Sequence, residues 1–218
     1  MRVLVIDTAL DACAAAVFED GRALGVRTEI MARGHSERLG GFVRDAVAEA
    51  GGGFEALERI GVTVGPGSFT GLRVGLAFAQ GLGAALDLPV VGISTLEALA
   101  RSADDGQGAT AAVIDARRGQ VYLQTFRDGA SVEDAEALSI EDATAKLADG
   151  GWRITGSGAA LVGGPAEATT TPDPAALAVL TAAHDPAAHP PKPLYLRAPD
   201  ATPPTRLPGQ ARPAVSGA

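Results

Sequence analysis

The chain contains 218 residues, an apolar fraction of 46% and a formal net charge of −8, from 18 basic and 26 acidic side chains. That length fits one large domain or two small lobes, and the apolar fraction predicts a sizeable buried core. Because nucleic-acid binding relies on Lys and Arg that neutralise phosphates, this acidic chain is a poor candidate for a stand-alone RNA binder, and we expect any contact with RNA to come through a basic partner.

The sequence carries one cysteine, Cys13, which excludes an intramolecular disulfide and favours a reducing compartment. The first apolar run ends at Asp7, too early for a signal peptide, and the sequence has no stretch of about 18 apolar residues that would span a membrane. We therefore expect a cytoplasmic protein without a membrane contact.

The first predicted elements form a β-hairpin. An apolar run at residues 3–6 ends in Asp7 and Thr8, and a second run at 13–18 leads to Asp20-Gly21. Asp-Gly next to an apolar run is a strong turn signal. We predict two paired strands and a third strand that returns after this turn.

A long helix is predicted next, at residues 36–50. Ser36 is its predicted N-cap, and Gly51 ends it. Its apolar side chains recur with the helical period of 3.6 residues and are expected to lie on one face. They are Leu39, Phe42, Val43, Ala46, Val47 and Ala50.

A buried strand at 60–64 and a glycine-rich turn lead to a second long helix at 70–86, followed by a strand at 90–93 and a short helix. The second helix carries small residues every four positions. Interior glycine costs a helix about 1 kcal/mol relative to alanine, so a tight contact on this face is expected. The contact is either with the helix at 36–50 or with another subunit. The small residues are Gly71, Gly75, Ala79 and Gly83.

The second half of the chain repeats the first at an offset of 108 residues. Val5-Ile6-Asp7 returns as Val113-Ile114-Asp115, and Asp20-Gly21 returns as Asp128-Gly129. An internal duplication therefore predicts two related lobes. Later elements are a helix that starts after Ser139, a strand at 152–155 and a helix that starts at Asp173-Pro174. The proline-rich residues 198–218 are predicted to be disordered.

The glycine-rich turn is the sharpest local motif. Backbone amides at a helix start can bind anions. However, the motif lacks the Gly-Lys-Ser/Thr of a P-loop, and Thr70 stands where the dinucleotide fingerprint has its third glycine. It fits either an anion site at Gly67 and Ser68 or a plain tight turn. The motif reads Gly65-Pro66-Gly67-Ser68-Phe69-Thr70-Gly71.

Other catalytic patterns are missing from the sequence. The three histidines include no His-x-x-x-His pair, so no metal site is predicted. Ser68 lacks the nucleophile-elbow pattern, and Cys13 stands between alanines like a core residue. Asp7 and Asp115 end equivalent strands, and either contact a nucleotide or cap their own turns.

Several segments between residues 5 and 197 resemble the TsaB (YeaZ) family, in the family's order. The stretch from Gly65 to Gly75 is the most specific, and the others support it. The matching segments are Val5-Ile6-Asp7-Thr8, His35-Ser36, Gly65 to Gly75, Gly92 to Ala100, Ile114 to Tyr122 and Tyr195-Leu196-Arg197.

The resemblance implies an α/β, actin-like (ASKHA, RNase H-like) fold with an N-terminal lobe at 1–105 and a C-terminal lobe at 106–197. In this family TsaB is a subunit without its own active site that pairs with TsaD, its catalytic homologue, and with the ATPase TsaE. The complex transfers a threonylcarbamoyl group to adenosine 37 of tRNAs that read ANN codons. The chain would contact tRNA only through the complex, and the partners would use ATP and Mg²⁺.

The resemblance also places the partner interface on the two long helices, which pair with TsaD or, when TsaD is absent, with a second TsaB. The interface residues implied are Leu39, Phe42, Val43, Ala46, Phe69, Leu72, Gly75, Leu76, Ala79 and Gly83.

Two alternatives stay open. An ATP-binding transferase or kinase of the same fold would use a set of candidate nucleotide or anion contacts. A glycoprotease-like peptidase would need the paired histidines that the sequence lacks. The candidate contacts are Asp7, Thr8, Asp115, Gly67 and Ser68.

Overall fold

The computed structural model describes residues 1–103 and 108–197. The first sheet has five strands in the order β3-β2-β1-β4-β5. Strands β1, β2 and β3 pair antiparallel, whereas β4 and β5 join β1 in parallel. The predicted disordered segment, 198–218, lies outside the described residues. The strands are β1 (Arg2–Asp7), β2 (Ala12–Glu19), β3 (Arg22–Ile30), β4 (Arg59–Gly65) and β5 (Val90–Ser94).

The second sheet repeats the first in a shorter form. Its order is β10-β6-β7-β8, with β9 also on β7, and β10 runs parallel to β6 as β4 does to β1. The turns Asp20-Gly21 and Asp128-Gly129 both have two positive φ angles, so the hairpins match as well. The predicted two-lobed, actin-like fold is confirmed. The strands are β6 (Ala109–Arg117), β7 (Gln120–Arg127), β8 (Ala130–Ser131), β9 (Glu136–Ser139) and β10 (Arg153–Thr155).

Helices cover both faces of the first sheet because its strands alternate their apolar side chains. Leu4 and Ile6 of β1 pack toward the first two helices, whereas Val3 and Val5 pack toward the last one. The helices are α1 (His35–Ala50), α2 (Phe69–Leu86), α3 (Thr95–Ala103), α4 (Ile140–Leu147) and α5 (Pro174–Ala183).

The helix starts follow local capping chemistry. Ser68 caps α2 by accepting a hydrogen bond from the Gly71 amide, and Ser139 caps α4 as predicted. The predicted cap of α1 is wrong. Gly34 takes that position with φ of 89°, a conformation that serine disfavours, and Ser36 falls inside the first turn.

The predicted division into lobes at residues 105 and 106 needs one correction. Helix α5 follows the second sheet in sequence but packs on the first sheet. Leu177 and Leu180 of α5 join one apolar cluster with Val91 and Ile93 of β5. The chain therefore returns to the N-terminal lobe, because the second face of that sheet is apolar and needs cover.

The small-residue face of α2 packs on strands and a loop of its own lobe, so neither predicted contact is correct. Side chains at Gly71 or Gly75 would overlap with Thr8, and one at Gly83 would overlap with Val90. Ala79 is fully buried. This packing, rather than α1 or another subunit, explains the glycines.

A pair of glycine-to-alanine substitutions tests this packing. Gly81, on the same helix, has open space where its Cβ would lie, so Gly81→Ala should raise the free energy of unfolding by about 1 kcal/mol. Gly75→Ala should lower it by about 1–3 kcal/mol, because the methyl group overlaps with Thr8. Urea denaturation of both variants measures the difference, and equal effects would contradict the assigned packing.

Candidate functional site

The Asp7 carboxylate at the end of β1 is enclosed by the protein. Its Oδ1 accepts hydrogen bonds from the Ala9 amide at 2.9 Å and from the Thr63 hydroxyl at 2.7 Å. Its Oδ2 has no partner among the described residues. Burial raises the pKa of Asp7, and the two hydrogen bonds and His35 oppose that rise. Asp7 therefore stabilises its own turn through these hydrogen bonds, whereas its burial disfavours the charged form of the carboxyl group.

The turn before α2 is held by backbone contacts with the loop after β1. The Ser68 amide donates to the Ala9 carbonyl at 2.7 Å, and the Thr8 hydroxyl donates to the Gly71 carbonyl at 2.7 Å. A side chain at Gly67 would overlap with Ala9. The motif is thus a tight turn whose Ser68 amide is already engaged.

A cavity of about 390 Å³ lies between the two lobes. Three of the five candidate nucleotide contacts line it, namely Gly67, Ser68 and Asp115. Asp7 and Thr8 do not, because both are buried beneath the turn, with exposed fractions of 1% and 0%. The prediction that these two residues contact a nucleotide is therefore wrong for this structure.

Asp115 lines the cavity, as Asp11 also does, and Arg117 of the same strand pairs with the Asp115 carboxylate. Its Oδ1 accepts the Arg117 amide at 2.8 Å, and its Oδ2 accepts the Arg117 guanidinium at 3.0 Å. The Ser157 hydroxyl accepts the Asp115 amide at 3.2 Å. Asp7 and Asp115 thus differ in exposure although they end equivalent strands.

The outer surface of α2 is the other candidate site. Arg73 is the only charged residue of this 18-residue helix, and only six of its residues are buried. The helix has the length and composition of a membrane span, a test that core helices of globular proteins also pass. Among its twelve exposed or half-buried residues, five lie on one side of the helix at intervals of four and three, the spacing of a helix-packing seam. We call this set the outer face: Thr70, Val74, Ala77, Gly81 and Ala84.

The implied interface residues lie mostly elsewhere. Only Phe42 and Phe69 reach the surface, and Phe69 keeps 53% of its area exposed. The other eight are buried in the chain's own core, so their assignment to a partner interface is corrected. They are Leu39, Val43, Ala46, Leu72, Gly75, Leu76, Ala79 and Gly83.

The outer face was not predicted from the sequence, because the small residues at every fourth position mark the buried side of α2. The useful signal is that Arg73 is the single charged residue of a helix that is two-thirds unburied, where a solvated helix face normally carries several. Gly41 of α1 also faces open space, and Gly40 lies against Phe78 of α2. Both helices therefore have glycines at the surface, Gly40 and Gly41 on α1 and Gly81 on α2.

Two other side chains that could take part in catalysis, those of His184 and Cys13, are paired or buried. Among the residues the structure describes, no group of three or more His, Cys, Asp or Glu side chains is placed to hold a metal ion. His184 pairs with Glu97 at 3.0 Å and stacks on His189. Burial raises the pKa of Cys13 to about 11, which disfavours the reactive thiolate.

Comparisons with known proteins agree with this architecture. Residues 16–171 match the family model for TsaD, tRNA N6-adenosine threonylcarbamoyltransferase. The chain is 36% identical over 167 residues to the tRNA threonylcarbamoyladenosine biosynthesis protein TsaB of Escherichia coli, covering 72% of each chain. The solved structure of YeaZ from Pseudomonas aeruginosa matches with a TM-score of 0.75 at 30% identity, covering 89% of this chain and 99% of that one.

The buried Asp7 predicts a defined pH dependence of stability. Because its pKa is raised in the folded state, the free energy of unfolding should fall as pH rises from the ordinary aspartate pKa of about 3.9 through the raised value. Asp7→Asn should remove this loss, so the variant gains stability relative to wild type over that range. Urea titrations between about pH 4 and about pH 8 measure it. Asp11→Asn, at an exposed position, is the control, and parallel profiles for wild type and Asp7→Asn would contradict the prediction.

Proposed function

The chain belongs to the TsaB (YeaZ) family, and from that membership we propose that it is the non-catalytic subunit of the complex that transfers a threonylcarbamoyl group to N6 of adenosine 37 in tRNAs reading ANN codons. It acts by pairing with TsaD in the cytoplasm, and the ATPase TsaE completes the complex. Alone, the chain pairs with a second copy of itself.

The outer face of α2 carries this proposal. A monomeric protein rarely leaves a contiguous surface of apolar and small residues exposed on a helix, and α2 carries a single charged residue, Arg73. The spacing of Thr70, Val74, Ala77, Gly81 and Ala84 allows another helix to pack along the seam at close range. Phe69 precedes Thr70, the first residue of this seam, and Phe42 of α1 is the other implied interface residue that reaches the surface.

The contacts of Asp7 and Asp115 within the chain support a non-catalytic role for this subunit. Asp7 is enclosed and hydrogen-bonded to Thr63, so it does not reach a ligand in the cavity. Asp115 is paired with Arg117 of the same strand, β6. Both acids therefore serve local structure, and the catalytic groups and the ATP and Mg²⁺ of the reaction belong to the partners.

The negative net charge of the chain supports the proposal that other subunits of the complex make the contacts with tRNA. With a net charge of −8, this subunit repels the phosphate backbone at long range. The chain therefore contributes to modification through the partner that it holds.

Nucleotide binding in the interlobe cavity is the second candidate function. The cavity of about 390 Å³ lies within the range of small-molecule sites, and Asp115 and Ser68 line it. Calorimetric titration with Mg²⁺-ATP tests this candidate. Binding that Asp115→Ala abolishes would support it, and no heat at millimolar ATP would remove it.

A charge placed in the seam tests the proposed pairing. Gly81 faces open space, so Gly81→Arg leaves the chain's own packing intact while adding a cation to the seam. We expect binding to TsaD to weaken by more than about tenfold, because the charge would be buried without a partner. Gel filtration and titration calorimetry with purified TsaD measure the complex.

Val179→Arg is the matched control for this experiment. Val179 is exposed on α5, which covers the opposite face of the first sheet. This variant should bind TsaD like wild type. Equal binding by Gly81→Arg and wild type would exclude the outer face as the docking surface, and no binding by wild type itself would overturn the proposed pairing.

A further inference from the structure

The residues after α5 form an extended segment across the first lobe, which we call the strap (residues 189–197). The Gly92 amide of β5 donates to the His189 carbonyl at 2.8 Å, and the Leu194 amide donates to the Val64 carbonyl of β4 at 2.7 Å. The Gln80 side chain of α2 donates to the strap at Pro191, at 2.6 Å. The strap thus crosses from the edge strand β5 to the end of β4 and lies beside α2.

The sheet is shaped to receive this segment. A Cβ at Gly92 would lie 2.6 Å from the Pro190 carbonyl oxygen, and one at Gly65 would lie 2.8 Å from the Leu194 carbonyl oxygen. Gly65 also has φ of 111°, which L side chains rarely adopt. The two glycines, in neighbouring strands, leave space for the strap backbone. The strap is therefore an integral part of the fold.

The strap meets the start of α2 through an aromatic contact. The Tyr195 ring lies 5.7 Å from the Phe69 ring, and the Arg73 guanidinium lies 3.8 Å from the centroid of the same Phe69 ring. The Arg73 Nε also donates to the Tyr195 hydroxyl at 3.5 Å. Phe69 and Tyr195 remain about half exposed, so this stack adjoins the outer face at its first residue, Thr70.

The end of the strap reaches the second lobe. The Arg197 guanidinium donates to the Ala116 carbonyl of β6 at 2.8 Å, and Leu196 packs with Leu96, Leu99 and Ile114. Ala116 also lines the interlobe cavity. The strap therefore connects the start of α2 to the second sheet within three residues.

We propose that Tyr195 and Arg197 are positioning residues for the docking surface: Tyr195 fixes the Phe69 side chain at the start of α2, and Arg197 anchors Tyr195 to the second lobe. The inference rests on the proposed pairing of α2 with TsaD. Neither residue belongs to the seam, so each acts on binding through Phe69 and the first turn of α2.

The physical reason is conformational entropy. A half-exposed aromatic side chain that is free to change rotamer loses that freedom when a partner binds, and the loss weakens association. The contacts of the Phe69 ring with Tyr195 and Arg73 restrict its rotamer in the free chain, so that less freedom is lost on binding. The anchoring bond from Arg197 keeps the Tyr195 ring in place.

Binding and hydrogen exchange of matched variants test the inference. Tyr195→Ala and Arg197→Ala should each weaken binding to TsaD by about two- to tenfold, measured by titration calorimetry. Tyr195→Phe keeps the ring and should stay within about twofold of wild type. Arg153→Ala is the control, because Arg153 also donates to a backbone carbonyl, that of Ala103, at 2.6 Å, but contacts neither the strap nor α2.

Hydrogen exchange of the free chain separates this inference from the proposed function. In Tyr195→Ala and Arg197→Ala, the amides of Gly71 and Leu72, which bond to Ser68, should exchange faster than in wild type and Arg153→Ala. Wild-type exchange and binding in both alanine variants would overturn the inference. If wild type itself fails to bind TsaD, the proposed pairing is wrong, and the exchange rates still decide whether the strap positions α2.

Discussion

The close approach of the α2 N-terminus to the loop after β1 is the contact on which the rest of the first lobe depends. Thr8 and Ala9 exchange hydrogen bonds with Gly71 and Ser68, and only glycine fits at the helix positions that face Thr8. Because of this contact, Asp7 is buried beneath the turn, and the small-residue face of α2 packs against the sheet. The other face, which has no charged side chains in its seam, is left at the surface.

This arrangement relates the buried acid to the exposed helix face. Both acids that follow the first apolar runs of the two lobes are held by contacts within the protein. Here Asp7 is covered by the turn that places α2, and Asp115 is held by Arg117. Both strand-end acids are therefore engaged by the protein itself, whereas the outer face of α2 stays at the surface.

The sequence predicted the elements well and their contacts poorly. The period of apolar residues, the Asp-Gly turns and the 108-residue repeat identified both sheets, because these signals are local or repeat along the chain. The return of α5 to the first lobe and the burial of the α2 glycines depend on contacts between distant segments, which one sequence does not display. The same holds for Tyr195 and Arg197, whose partners Phe69 and Ala116 are far away in the chain.

Reconstituted tRNA modification is the measurement that tests the central claim most directly. Purified TsaD, TsaE, tRNA and the threonylcarbamoyl donor are assayed with wild-type chain, without it, and with the variant Asp115→Asn. We predict that modification requires the chain and is unchanged by Asp115→Asn, because in our proposal the subunit acts through its helix surface. Modification that proceeds equally well without the chain, or that Asp115→Asn reduces to the level without it, would contradict this account.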